Sequence, residues 1–69
     1  MELMRVEQGE AHVRVALQEL LIINNALNEV CNGIDVPEFE TRMGVTLAQV
    51  QSLLSNVQLV LDELDAPKT

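Results

Sequence analysis

One histidine, His12, and one cysteine, Cys31, are the side chains of this sequence best suited to act as base or nucleophile. A nucleophile needs a base beside it and a third group to orient that base, and nothing in the spacing assembles such a set. A single cysteine closes no intrachain disulfide, and one Cys with one His falls short of the ligands of a zinc site. Asp62, Glu63 and Asp65 bunch together without the ligand order of a calcium loop. The sequence therefore predicts a protein that is not an enzyme and that holds no metal or other cofactor.

Side chains suited to recognition are more plentiful. The stretch INNALNEVCNG, from Ile23 to Gly33, puts four asparagines in what reads as the second half of a helix, where each costs roughly 0.5 kcal/mol against Ala. At about 100° per residue, Asn24 falls inside the apolar arc and Asn28 near its edge. Asn25 falls on the polar side, and Asn32 precedes a glycine able to end the helix. Asn24 and Asn28 are thus expected to form an amide pair facing protein and holding backbone groups of the 33–37 loop; removing Asn24 should then cost about 1–3 kcal/mol. Arg42 has Glu38 one turn before it and Glu29 on the preceding helix as possible ion-pair partners. Asn24, Asn28, Glu29, Glu38 and Arg42 form the candidate polar cluster, for which packing is ranked above binding.

The elements that must position these residues are marked by a repeated spelling. VALQEL (15–20), IDVPEF (34–39) and VTLAQV (45–50) each read apolar, cap, apolar, any, Glu or Gln, apolar. That is a hydrophobic staple around a capping box, in which the cap side chain and the acid or amide three residues on satisfy each other's backbone N–H. Asp35 and Thr46 are good caps, Pro37 suits a first helical turn, and Ala16 is the defective member. Asn32-Gly33 and Gly44 supply stops. Helices are expected at 17–32, 36–43 and 47–65.

Before them, Met4 to Glu7 and His12 to Val15 alternate with period two about Gly9, as in a hairpin spanning 3–15. A Gly9-Glu10 loop would pair Val6 with Val13 and Met4 with Val15 on one face, and Glu7 with His12 and Arg5 with Arg14 on the other. The last is a like-charge pair. The fold class is mainly α (α+β): one domain over 1–69, an N-terminal β-hairpin followed by three helices, with helices 2 and 3 resembling a helix-turn-helix.

The run from Glu19 to Leu54 resembles small bacterial proteins with an LLxxNNALNEV…NG…EFxTRxG motif. The resemblance implies that Asn24, Asn25, Asn28, Glu29, Gly33, Glu38, Phe39, Thr41, Arg42 and Gly44 belong to one constellation; it implies no particular reaction.

Acidic residues outnumber basic ones 11 to 4, for a formal charge of −7. That charge repels nucleic-acid phosphates and suits a basic protein partner. A helix-turn-helix regulator is the alternative reading, since Gln49, Gln51 and Asn56 could reach adenine, yet no Lys or Arg lies between Thr46 and Leu61 to meet the backbone. Nucleic acid is therefore an unlikely partner. With 48% hydrophobic residues but one Phe and no Trp or Tyr, the core must be aliphatic. A chain this short buries only about 60% of the surface its unfolded form exposes, so a homodimer is expected, with the outlying apolar residues Ile22 and Leu59 as candidate contacts. No basic stretch leads into an apolar run, and no run reaches the 18 or so residues of a membrane span, which points to a cytoplasmic protein with no membrane partner. The reading is a small acidic interaction module, of the immunity or antitoxin-like kind.

The defective cap gives a direct test of where helix 1 starts. Ala16→Ser should stabilise the fold by about 0.5–1 kcal/mol, read as a rise in the urea midpoint. A midpoint that falls would move the helix start away from Leu17.

Overall fold

Thr46 shows how the helices are begun. Its hydroxyl accepts from the Gln49 N–H at 3.1 Å, and Gln49 Oε1 accepts from the Thr46 N–H at 2.8 Å, closing the capping box in both directions. The computed structural model describes residues 1–65, and in it this box opens the helix Leu47–Asp65, here α3. At the equivalent place before α1 (Leu17–Asn28) only half the box forms. Glu19 accepts from the Ala16 N–H at 3.1 Å, while Ala16 has no side chain with which to cap in return.

The third copy of the spelling does not start a helix where it is written. Helix 2 was expected from Val36 with Asp35 as cap; α2 runs only over Phe39–Met43. The reason is Pro37, whose ring disfavours helical backbone at the residue before it, so Val36 cannot open a helix. The chain turns at Pro37-Glu38 instead, and Glu38 takes a left-handed conformation with φ 53° and ψ 49° before α2 begins.

Helix 1 reaches as far as expected but ends differently. After Asn28 the chain widens into a π-helical turn over Glu29–Gly33, closed by the Ile34 N–H donating to the Glu29 carbonyl at 2.9 Å. Gly33 is not the left-handed stop predicted for it. Among the described residues the glycines with positive φ are Gly9 and Gly44, the latter at 75° as the cap of α2. At Gly33 the Glu29 carboxylate occupies the space that a Cβ would take.

The hairpin forms, from β1 (Glu2–Glu7) and antiparallel β2 (Glu10–Arg14), in a register other than the expected one. Its loop is Gln8-Gly9, both with positive φ, a pattern that favours glycine second. Val6 therefore faces Ala11, and Arg5 faces His12. A bulge between Leu3 and Arg5 then shifts the pairing by one residue, so Leu3 faces Val13 and Glu2 faces Arg14. The expected Arg5 and Arg14 opposition is thereby avoided, and each arginine has its own carboxylate. Arg5 Nε lies 3.1 Å from Glu7 and Arg14 Nη1 lies 3.1 Å from Glu2.

The core sits between α1 and α3, with the π turn also against α3. Its buried hydrophobic residues are Leu20, Val50, Leu54 and Leu61. The radius of gyration is 14.0 Å and the extents are 43 × 31 × 17 Å. A compact chain of this length would have a radius of roughly 11 Å. In thickness the molecule is little more than one layer of helices.

The two kinds of glycine should respond oppositely to an added methyl group. Gly44→Ala forces an L-residue into the left-handed region and should cost about 1–2 kcal/mol. Gly33→Ala meets only the movable end of the Glu29 side chain and should be neutral or stabilising by up to about 1 kcal/mol. Urea midpoints of the two variants check this, and equal losses would restore Gly33 as a backbone stop.

Candidate interaction surface

The polar cluster expected around helix 1 is arranged in another way. Asn28 Oδ1 accepts from Asn32 Nδ2 at 3.0 Å, so the amide pair one turn apart is Asn28 with Asn32, and both are exposed. Asn24 is half-buried as the apolar arc required, but its Oδ1 is buried and accepts no hydrogen bond among the described residues. The pair therefore does not hold the 33–37 loop. Glu29 leans over Gly33, and Glu38 contributes its carbonyl to the Arg42 N–H at 3.1 Å. Arg42 forms no ion pair with Glu38 or Glu29 among the described residues. It stands in the last turn of α2, where a cation complements the helix dipole. The five residues do not converge on one pocket.

His12 lies in β2 with Nε2 3.5 Å from Glu7 Oε2, more than a third of its side chain in solvent, which is an exposed pair of small energetic weight. Cys31 is half-buried. No group of three or more metal-ligating side chains comes together among the described residues. The hollow at the hairpin tip, lined by Val6, Glu7, Gln8 and Glu10, is widely open. Glu19 has its carboxyl held below the ordinary carboxylate range, first by its bond to the Met1 amino group and then by the Ala16 N–H. Those bonds tie the start of β1 to the first turn of α1.

What the structure leaves exposed instead is apolar surface on several elements. Ile22 and Leu59, the outliers of the sequence, are 62% and 63% exposed. A larger feature is the apolar stripe of α3. Of the seven residues forming the α3 stripe, Val50, Leu54 and Leu61 are buried and Val57 half-buried, while Leu53, Val60 and Leu64 each keep about half their surface in water. The exposed three lie about 80° round the helix from the buried line. The signal was the width of the stripe, an arc of about 120° that one neighbouring helix cannot cover. The hairpin adds more, for Leu3, Val6 and Val13 are all exposed.

No described helix is long and apolar enough to cross a membrane. Helices α2 and α3 are joined through Gly44 as in a helix-turn-helix, but α3 from Leu47 to Asp65 contains no Lys or Arg. Compared with known proteins, the chain matches no family model, no curated protein and no solved structure.

The buried, unpaired Asn24 oxygen reverses the expected cost of losing it. Asn24→Leu removes an acceptor that no group among the described residues satisfies and should raise the urea midpoint by an amount equivalent to about 1–3 kcal/mol. Asn25→Ala, on the exposed face, should be neutral or slightly stabilising. A large loss at Asn24→Leu would mean that its amide is bonded in the folded protein.

Proposed function

We propose that this protein is a non-enzymatic interaction module that works as a homodimer and offers an acidic surface to a basic protein partner, as an immunity or antitoxin-like protein does. The observation that carries the homodimer is the surplus of accessible surface. The chain exposes 5583 Å², where a folded monomer of its mass exposes about 4,300 Å². The excess, on the order of 1,000 Å², is what one partner contributes to a stable interface. Support for the basic partner is the charge of −7, which repels polyanions and accelerates encounter with cations.

Light scattering on a sizing column should give about twice the chain mass of 7.7 kDa. Refractive index is the detector of choice, since the chain has no Trp or Tyr to absorb. A species of single-chain mass across the accessible concentration range would overturn the homodimer. If the dimer stands, a basic partner should be released as salt rises through the range where surface charge is screened.

A further inference from the structure

Among the described residues the two strands of the hairpin pack on each other and on no helix to any extent. The hairpin's register sorts the two strands by face, with Leu3, Val6, Ala11 and Val13 on one and Glu2, Arg5, Glu7, Glu10, His12 and Arg14 on the other, where Arg5 pairs with Glu7 and Arg14 with Glu2. Leu3, Val6 and Val13 are 62%, 66% and 43% exposed. A lone two-stranded hairpin is marginal in water and needs its apolar face covered.

Its own chain is badly placed to cover it. Only Val15 and Ala16 separate β2 from α1, and the Met1 amino group is bound to Glu19 in the first turn of that helix. Both ends of the hairpin base are therefore held at the start of α1, and the Gln8-Gly9 turn lies a strand length, about 20 Å, from that base.

The flank of α3 is a surface of matching length. Leu53 to Leu64 rises about 16 Å along the helix, and Leu53, Val60 and Leu64 are 51%, 51% and 50% exposed. Charge favours hairpin on helix over helix on helix. Residues 2–14 hold three carboxylates and two arginines, whereas 17–65 hold eight carboxylates and one arginine. Two helical bodies brought together would repel each other, and a nearly neutral hairpin laid on a helical body would not. A twofold arrangement makes the contact twice, which is how a self-complementary patch uses a surplus of this size.

We infer that the hairpin is a dimerisation arm, whose Leu3, Val6 and Val13 face lies on the Leu53, Val60 and Leu64 flank of α3 in a second copy, and reciprocally. This rests on the homodimeric reading above.

Disulfide trapping tests it. In a Cys31→Ser background, one chain carries Val6→Cys and a second, of different tag length, carries Val60→Cys; each is oxidised alone and after refolding together. The arm predicts that the mixed Val6→Cys to Val60→Cys product dominates on a non-reducing gel and that neither chain links efficiently to itself. Self-linkage of Val6→Cys would mean hairpin on hairpin, self-linkage of Val60→Cys would mean α3 on α3, and either overturns the arm while leaving the dimer. No linkage in a sample that scatters as a dimer overturns it too, and a monomeric parent overturns both readings. As a second measurement, Val6→Lys should weaken the dimer at least about tenfold with helical circular dichroism unchanged, because Val6 is exposed in its own chain. Unaltered dimer affinity would count against the arm.

Discussion

The seam between α1 and α3 is the contact on which the rest of the chain depends, and it is thin. Leu20, Val50, Leu54 and Leu61 are the residues it buries, all aliphatic, and even these keep 5–8% of their surface. With one Phe and no Trp or Tyr, the chain has few of the large aromatic side chains that dominate core burial. Helices can be started and stopped around such a seam, but they cannot all be covered by it. The half-exposed flank of α3 and the open face of the hairpin are both consequences of a core one residue deep.

Local chemistry compensates for the thin core by fixing where each element begins. The Thr46 and Gln49 box, the Glu19 bond to Ala16, and the Met1 amino group on Glu19 each satisfy backbone or terminal donors that would otherwise compete for water. These contacts are exposed, so their value lies in geometry more than energy. Glu19 ties the base of the hairpin, through the Met1 amino group, to the first turn of α1. A single acidic residue thus links a helix cap to a candidate interface.

The element order was legible in the sequence because it is written in local rules: alternation about a glycine, then repeated staples and boxes. The errors fall where two local rules conflict. At IDVPEF the box spelling met the restriction that Pro37 places on Val36, and the proline prevailed because sterics cost more than a missing cap. In the hairpin, centring the loop on Gly9 was right in kind, but a glycine in second place and a bulge at Met4 set the register, and bulges leave little trace in sequence. Gly33 looked like a stop and proved to be a clearance for the Glu29 side chain, a distinction that requires coordinates. For the candidate surface, Ile22 and Leu59 could be read as exposed because they break the periodicity. Leu53, Val60 and Leu64 could not, because they obey it, and only the geometry of the single neighbouring helix shows that the stripe is wider than its cover.

Acidity and the proposed self-association pull against each other in so small a chain, and the distribution of charge along it offers a way round the conflict. Carboxylates crowd the helical part, where eight stand against one arginine, while the hairpin sets Arg5 and Arg14 against its three and pairs them with Glu7 and Glu2 on one face. At physiological ionic strength charges interact over roughly 8 Å, about the distance between packed helix axes. The sign of the nearest surface therefore matters more than the net charge of the whole. A nearly neutral, one-sidedly apolar hairpin is the part of this molecule that can approach a second acidic copy closely, and the ion pairs on its other face keep that approach from bringing unpaired charge against carboxylates. The helical faces left outside would then carry most of the negative charge, which is the arrangement an acidic dimer needs if it is also to meet a basic partner.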